Sequence, residues 1–205
     1  MKNDVLGSRN VQAGCPRYRP PRTVEELLER YKNGERSFPG TELPGGDLRG
    51  ADLRNADFHT SYFSGAKFDG ATLTGANFQG SYLTETSLTR AKLTGANLRE
   101  THLDRADLHR AQLSGADLRD STLRIASFRE ANLSRSDLRG ATINIADFTK
   151  ADLSHGGLRG VNLKNAILLR ADLTGADLKD ARLPQPTNMH GAKGYSPERT
   201  PGMER

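Results

Sequence analysis

Residues 91–120 read AKLTG ANLRE THLDR ADLHR AQLSG ADLRD, six five-residue units that each carry a small residue first and a leucine third. The frame runs on in both directions. From Phe38 to Leu183 every fifth residue is Leu, Phe or Ile, thirty centres filled by 22 Leu, seven Phe and Ile143. Two residues ahead of the centre stands Ala in nineteen of the thirty units, and elsewhere mostly Ser, Thr or Gly; Arg36 and Val161 depart from this. Asp or Asn commonly lies between, as in Ala51-Asp52-Leu53, Ala96-Asn97-Leu98 and Ala176-Asp177-Leu178.

Residues two apart on an extended segment face the same way, so the small residue and the centre point inward while the residue between them points out. The other two residues must turn the chain, and the second is often Gly, as at Gly95, which tolerates a positive φ. A helix does not fit this period. At 100° per residue, steps of five send successive leucines around the whole cylinder rather than along one stripe. A short straight side followed by a corner, repeated, winds into a coil whose turns stack at ~4.8 Å through backbone hydrogen bonds.

The pattern of small residue, Asp or Asn, Leu or Phe and two variable residues resembles the pentapeptide-repeat family across roughly residues 36–185. The resemblance implies an all-β fold, a right-handed quadrilateral β-helix of about seven coils, with four units and twenty residues to a coil. That geometry would stack Phe38, Phe58 and Phe78, and likewise Phe128 and Phe148, as ladders inside the solenoid.

The flanks read differently. Residues 1–22 form a basic, Pro-containing arm, residues 23–35 a capping α-helix, residues 36–185 the solenoid, and residues 186–205 a Pro-rich tail. Thr23-Val-Glu-Glu26 reads as a capping box, and Val24, Leu27, Leu28 and Tyr31 give a helix at about 24–33 one apolar face, suited to covering the first coil. Thr187–Ala192 imitates one more turn slipped by a residue. The tail holds no amphipathic dimerisation helix, so a monomer or a weak end-to-end dimer is expected.

Apolar residues make up 35% of the chain, Trp is absent, and the formal charge is +5. The excess lies mainly in the N-terminal segment. Residues 37–185 hold nineteen Lys and Arg against eighteen Asp and Glu. The single Cys15 excludes an internal disulfide. No stretch approaches a membrane span, so a cytoplasmic protein without membrane contact is expected.

No catalytic, metal-binding or phosphate-binding arrangement stands out. His59, His102, His109, His155 and His190 are scattered, the Asp residues recur as outward side positions, and neither enzyme activity nor a cofactor is expected. Function is then expected on the outer faces. Stacking by twenty aligns His59, Gln79, Arg99, Arg119, Arg139, Arg159 and Lys179, flanked by Asp57, Asp117, Asp137 and Asp177 on one side and Glu100, Asp120 and Asp180 on the other. This column suits an acidic partner, or, if its charges cancel locally, a solvated ladder of little individual worth. Tyr62, Tyr82 and His102 stack on another face, which Ile125 and Ile145 continue, and Ile167 and Leu169 project from the next; outward apolar groups on a polar rod are interface candidates. A hydroxyl row, Thr74, Thr94, Ser114, Ser134, Ser154 and Thr174, lacks the paired Thr rows of an ice-binding surface.

These features favour a non-catalytic protein-interaction scaffold, and the resemblance to bacterial, particularly cyanobacterial, family members adds a regulatory role. The family also includes rods that imitate DNA, modulate type II topoisomerase and confer fluoroquinolone resistance. A near-neutral repeat body and the missing C-terminal helix count against that reading. Nucleic-acid binding through the basic arm and the cation column is a third class, weakened by the acidic flanks and the lack of interleaved aromatics.

Overall fold

The computed structural model describes residues 18–195. Most of the N-terminal arm, with Cys15, and the tail beyond residue 195 lie outside the described residues. Parallel bridges link residues twenty apart, for example Ser37 to Asp57, Asp57 to Asn77 and Asn77 to Asn97. A lap therefore takes twenty residues, four five-residue sides. The arginine side carries the centres Phe38, Phe58, Phe78 and onward to Leu178; the tyrosine side runs from Leu43 to Leu183, the third from Leu48 to Leu168 and the fourth from Leu53 to Leu173.

Nearly every side joins the next lap through three backbone hydrogen bonds. At Leu98 these are Leu98 N–H to the Asp117 carbonyl at 2.7 Å, Glu100 N–H to Arg119 at 3.0 Å, and Asp117 N–H to Ala96 at 3.0 Å. A fourth bond, such as Ala96 N–H to the Leu93 carbonyl at 3.0 Å, closes the corner. The Asp or Asn beside the centre serves that corner too: Asn97 Oδ1 accepts from Arg99 N–H at 3.1 Å and Asp147 Oδ1 from Thr149 N–H at 2.8 Å. A short side-chain acceptor two residues ahead of the corner amide satisfies a donor that the turn leaves free, which explains the residue type.

The sequence leads one to expect glycine at the corners, and sixteen non-glycine residues nevertheless adopt positive φ there, among them Glu100 at 57° and Arg105 at 59°. Inter-lap hydrogen bonding through the corner amide holds most of them in place, as at Glu100 and Arg105, so tertiary context overrides residue preference.

Inside, the centres and their small companions are buried along almost the whole rod. On the tyrosine side the inward small residues Thr41, Ser61, Ser81, Thr101 and Ser121 carry hydroxyls, also fully buried. Their desolvation is offset because each finds a carbonyl; Ser81 donates to Phe58 at 2.7 Å, Thr101 to Leu98 at 2.6 Å and Ser121 to Leu118 at 2.7 Å. Phe38 and Phe58 stack at 5.7 Å, Phe58 and Phe78 at 5.3 Å, and Phe128 and Phe148 at 4.9 Å. Phe63 and Phe68, from neighbouring sides, meet this first ladder edge-on, with Phe58 to Phe63 at 5.3 Å and Phe68 to Phe78 at 6.0 Å.

The helix α1 spans Val24–Lys32. Thr23 Oγ1 accepts from Glu26 N–H at 3.1 Å, and the Glu26 carboxylate accepts from Arg22 N–H at 2.8 Å, one residue earlier than a standard capping box. Gly34, at φ 96°, ends the helix. Leu27 is fully buried, while Val24, Leu28 and Tyr31 are partly buried against the same core. Tyr31 also donates its hydroxyl to the Arg54 carbonyl at 2.9 Å. Arg30 lies 5.7 Å from both the Tyr18 and Phe38 ring centres and bonds both oxygens of Glu35 at 2.8 and 2.6 Å, so residues 18–22 lie against the end of the rod through Arg30 and Arg19. The Arg30 bond holds the Glu35 carboxyl below its ordinary range.

At the other end the register slips by one residue. Leu168 N–H bonds the Asn188 carbonyl at 2.8 Å and Leu173 N–H bonds Lys193 at 2.9 Å, so the partner lies one residue further on than in the body. A 3-10 turn, Pro186–Met189, absorbs the extra residue and buries Met189 where a centre would stand.

Candidate functional site

The arginine side brings the cation column together and largely neutralises it. Arg119 grips Asp117 with Nε at 2.9 Å and Nη2 at 2.6 Å, and Arg139 grips Asp137 at 2.9 and 2.5 Å. The pairing is local, because an Asp two residues ahead of the Arg points from the same side. Arg119 holds the Asp117 carboxyl below its usual range, and Asp117 raises the Arg119 guanidinium in turn. For Asp137, burial pushes the carboxyl up, but bonds from Arg139 outweigh it and the net shift is downward. Where that Asp is replaced, pairing is loose. Arg99, preceded by Asn97, reaches Asp120 at 3.7 Å and leaves its buried Nε without a partner, and Arg159, preceded by Gly157, reaches Asp180 at 3.7 Å. Lys179 makes no ion pair among the described residues. Further up the same side Asp57, Asn77 and Asn97 form a carboxamide ladder with spacings of 2.8 and 2.9 Å.

The tyrosine side differs. Tyr62 and Tyr82 stack at 4.8 Å and 5°, and Tyr82 and His102 at 4.5 Å and 17°. Both tyrosines remain open to solvent, and a shallow cavity of 370 Å³ lined by Glu42, Pro44, Tyr62 and Ser64 opens beside the first ring. Three to four laps on, at the corner of the same side, Ile125 and Ile145 are 51% and 53% exposed. They sit where Gly45 and Gly65 turn the chain in earlier laps, at φ 59° and 58°. A β-branched residue in this region is a backbone outlier.

Sequence periodicity places Ile125 and Ile145 on this face, but not their strain, since a corner's dihedral signs are invisible when half the corners lack Gly. Ile167 and Leu169 do not join them. Both lie on the third side and are half-buried, next to the turn Pro186–Met189, whose lap bonds Leu168 and Arg170. In the hydroxyl row Ser114 and Ser134 bond each other at 3.1 Å, while Ser134 and Thr174 turn back to Asn132 and Asp172 at 2.7 and 2.6 Å. Among the described residues no group of three or more His, Cys, Asp or Glu could hold a metal ion, and no helix is long and apolar enough to cross a membrane.

Eight copies of the family described as pentapeptide repeats match the chain, over residues 38–154 and 158–185. Among solved structures it is similar to HetL, a pentapeptide repeat protein involved in heterocyst differentiation regulation from Nostoc sp. strain PCC 7120. The identity is 29% over 83% of this chain and 94% of HetL, with a TM-score of 0.31. It is also similar to QnrB1, a plasmid-mediated fluoroquinolone resistance protein, at 21% identity over 77% of this chain and 83% of that one, TM-score 0.39. A third, Rfr23 from the cyanobacterium Cyanothece 51142, is 24% identical over 82% of this chain and 94% of its own, TM-score 0.23. No curated protein matches the sequence significantly. With the repeat matched over more than half its length and residues twenty apart stacked in register, the chain belongs to the pentapeptide-repeat family, whose fold is a right-handed β-helix.

Proposed function

We propose that the protein is a non-catalytic interaction scaffold, regulatory in role, whose protein partner docks on the tyrosine side of the four-sided solenoid, with Tyr62, Tyr82, Ile125 and Ile145 as anchors. The supporting observation is the pair of isoleucines. Exposure gives an Ile no burial energy, and left-handed backbone disfavours it by roughly 1–2 kcal/mol, so neither folding term accounts for Ile at two stacked corners. Contact with a partner accounts for both, since burying such side chains at an interface returns ~1.5–3 kcal/mol each. The stacked rings of Tyr62 and Tyr82 extend the strip, and exposed tyrosine suits an interface because it offers large, stiff contact area.

The arginine side is the weaker surface for an acidic partner. Arg119 and Arg139 already bond Asp117 and Asp137, which lowers the unmet charge that an acidic protein or a nucleic acid would answer. A DNA-imitating role needs a strong negative field, which nineteen cations against eighteen acids in residues 37–185 do not supply. Helix α1 acts as a lid on one end and the slipped lap as a lid on the other, favouring a monomer.

The test is affinity capture with three variants: Tyr82→Ala, the double variant Ile125→Asn with Ile145→Asn, and Arg119→Glu with Arg139→Glu. Loss of the captured partner in the first two with retention in the third supports this assignment. Retention in the first two removes the tyrosine side, and loss only in the third moves the site to the arginines.

A further inference from the structure

Between Phe38 and Leu158 the inter-lap bonding is complete on every side of every lap but at one step. On the tyrosine side, between the laps at 141–145 and 161–165, all three backbone bonds are missing, and the Gly140 corner bond next to them is missing as well. The corresponding bonds one lap earlier are all made: Leu123 N–H to Thr142 at 2.9 Å, Ile125 N–H to Asn144 at 2.9 Å and Thr142 N–H to Ser121 at 2.8 Å. A cavity of about 510 Å³ occupies the gap, lined by Thr142, Ile143, Asn144, Val161, Asn162 and Asn165 among others. Across it a single carboxamide pair connects the lips, Asn165 Nδ2 donating to Asn144 Oδ1 at 3.0 Å.

The sequence supplies the wedge. Val161 fills an inward slot that holds Ala, Ser, Thr or Gly at every other unit but Arg36, and one lap below on the same side, next to Ala141 on which Val161 stacks, stands Ile143, the only β-branched centre. Val161 adds two methyl groups to a slot sized for Ala, and Ile143 carries its branch at Cβ, closer to the backbone than a Leu would; an interior overfilled near the main chain moves backbone rather than compressing. Ala141 and Ile143 accordingly show 8% and 6% exposure, against about 0–1% for Ala116 and Leu118. The other three sides of this step stay bonded, through Leu138 to Gly157 at 2.9 Å, Phe148 to Ile167 at 2.7 Å and Leu153 to Asp172 at 2.8 Å.

We infer that this step is a built-in joint: the segment 156–195 opens and closes as a unit against the rest of the rod, the gap on the tyrosine side spreading through the bonds of the other three sides, with the Asn144–Asn165 pair as its latch. A solenoid contacts only its nearest neighbours, so a step short of several bonds lowers the free energy for opening there without weakening the laps before it. Opening widens the gap on the tyrosine side, next to Ile145. The inference needs no partner and stands apart from the docking assignment.

Amide hydrogen exchange on the full chain, followed by mass spectrometry or NMR across low denaturant concentrations, tests it. The amides of Phe148, Leu153, Gly157, Ile167 and Asp172, all bonded across the step, should exchange together at least ~10-fold faster than those of Phe78, Leu98 and Leu118. Val161→Ala should erase the difference, Ile143→Leu should reduce it, and Asn165→Ala should enlarge it. Uniform protection along the rod overturns the joint, and so does early exchange that persists in both Val161→Ala and Ile143→Leu.

Discussion

Phe58 and Phe128 are both fully buried centres, and both lie on the N-terminal side of the open step, yet their surroundings differ. Phe58 touches three other rings, Phe38 at 5.7 Å, Phe63 at 5.3 Å and Phe78 at 5.3 Å, while Phe128 touches Phe148 alone at 4.9 Å. Replacing either by Leu, the commonest centre, removes the same volume from the same kind of slot, so the transfer and cavity contributions nearly cancel between the two variants. What remains is the difference of two aromatic pairs. At about 0.5–1.5 kcal/mol each, Phe58→Leu should destabilise the protein by roughly 1–3 kcal/mol more than Phe128→Leu. Guanidinium unfolding of the two variants beside the parent measures this directly, provided the slope with denaturant is unchanged. A difference below ~0.5 kcal/mol would refute the claim that ring geometry contributes beyond burial.

Three further outcomes follow from the geometry. Ile125→Asn should raise stability by about 0.5–1 kcal/mol, since Asn tolerates a left-handed corner; thermal unfolding reads this, and a fall in stability would contradict the strain assigned to Ile125. Asp172 is held at about 2 by the hydrogen bond from Lys193 and then by that from Thr174. Its folded pKa therefore lies below its unfolded one, so its contribution is present above pH ~4 and disappears as the pH falls through about 2. Because Lys193 is largely exposed, that contribution is small, and it should appear as a loss of protection of the Lys193 amide, relative to its intrinsic exchange rate, between pH ~4 and 2 that Lys193→Gln abolishes. Thr23→Ala should lower the stability of α1 by about 1 kcal/mol, seen as lost protection at Glu26 and Leu27.

Periodicity carries most of this architecture because a solenoid repeats one local decision thirty times, and each repeat can be checked against the others. Val161 and Ile143 are visible as exceptions in the sequence, but their effect needs the knowledge that they stand one lap apart on one side. The edge-on contacts of Phe63 and Phe68 with the first ladder are hidden for a related reason: counting by twenty finds neighbours along the axis and misses those across the bore. The cation column is legible as a row, and its neutralisation is not, because Asp117 and Arg119 could equally have pointed apart. Residues 18–22, read as part of a loose arm, are tied down by Arg30, a contact that no local pattern announces.

Every bond between laps of the body joins residues close to twenty apart, and four of the seven phenylalanines lie in the first two laps while a fifth, Phe78, opens the third. Short-range closure of this kind costs little loop entropy and requires nothing from the distant terminus. A chain emerging from the ribosome can therefore set its aromatic foundation first and extend by accretion, each new turn templated on the edge already laid down.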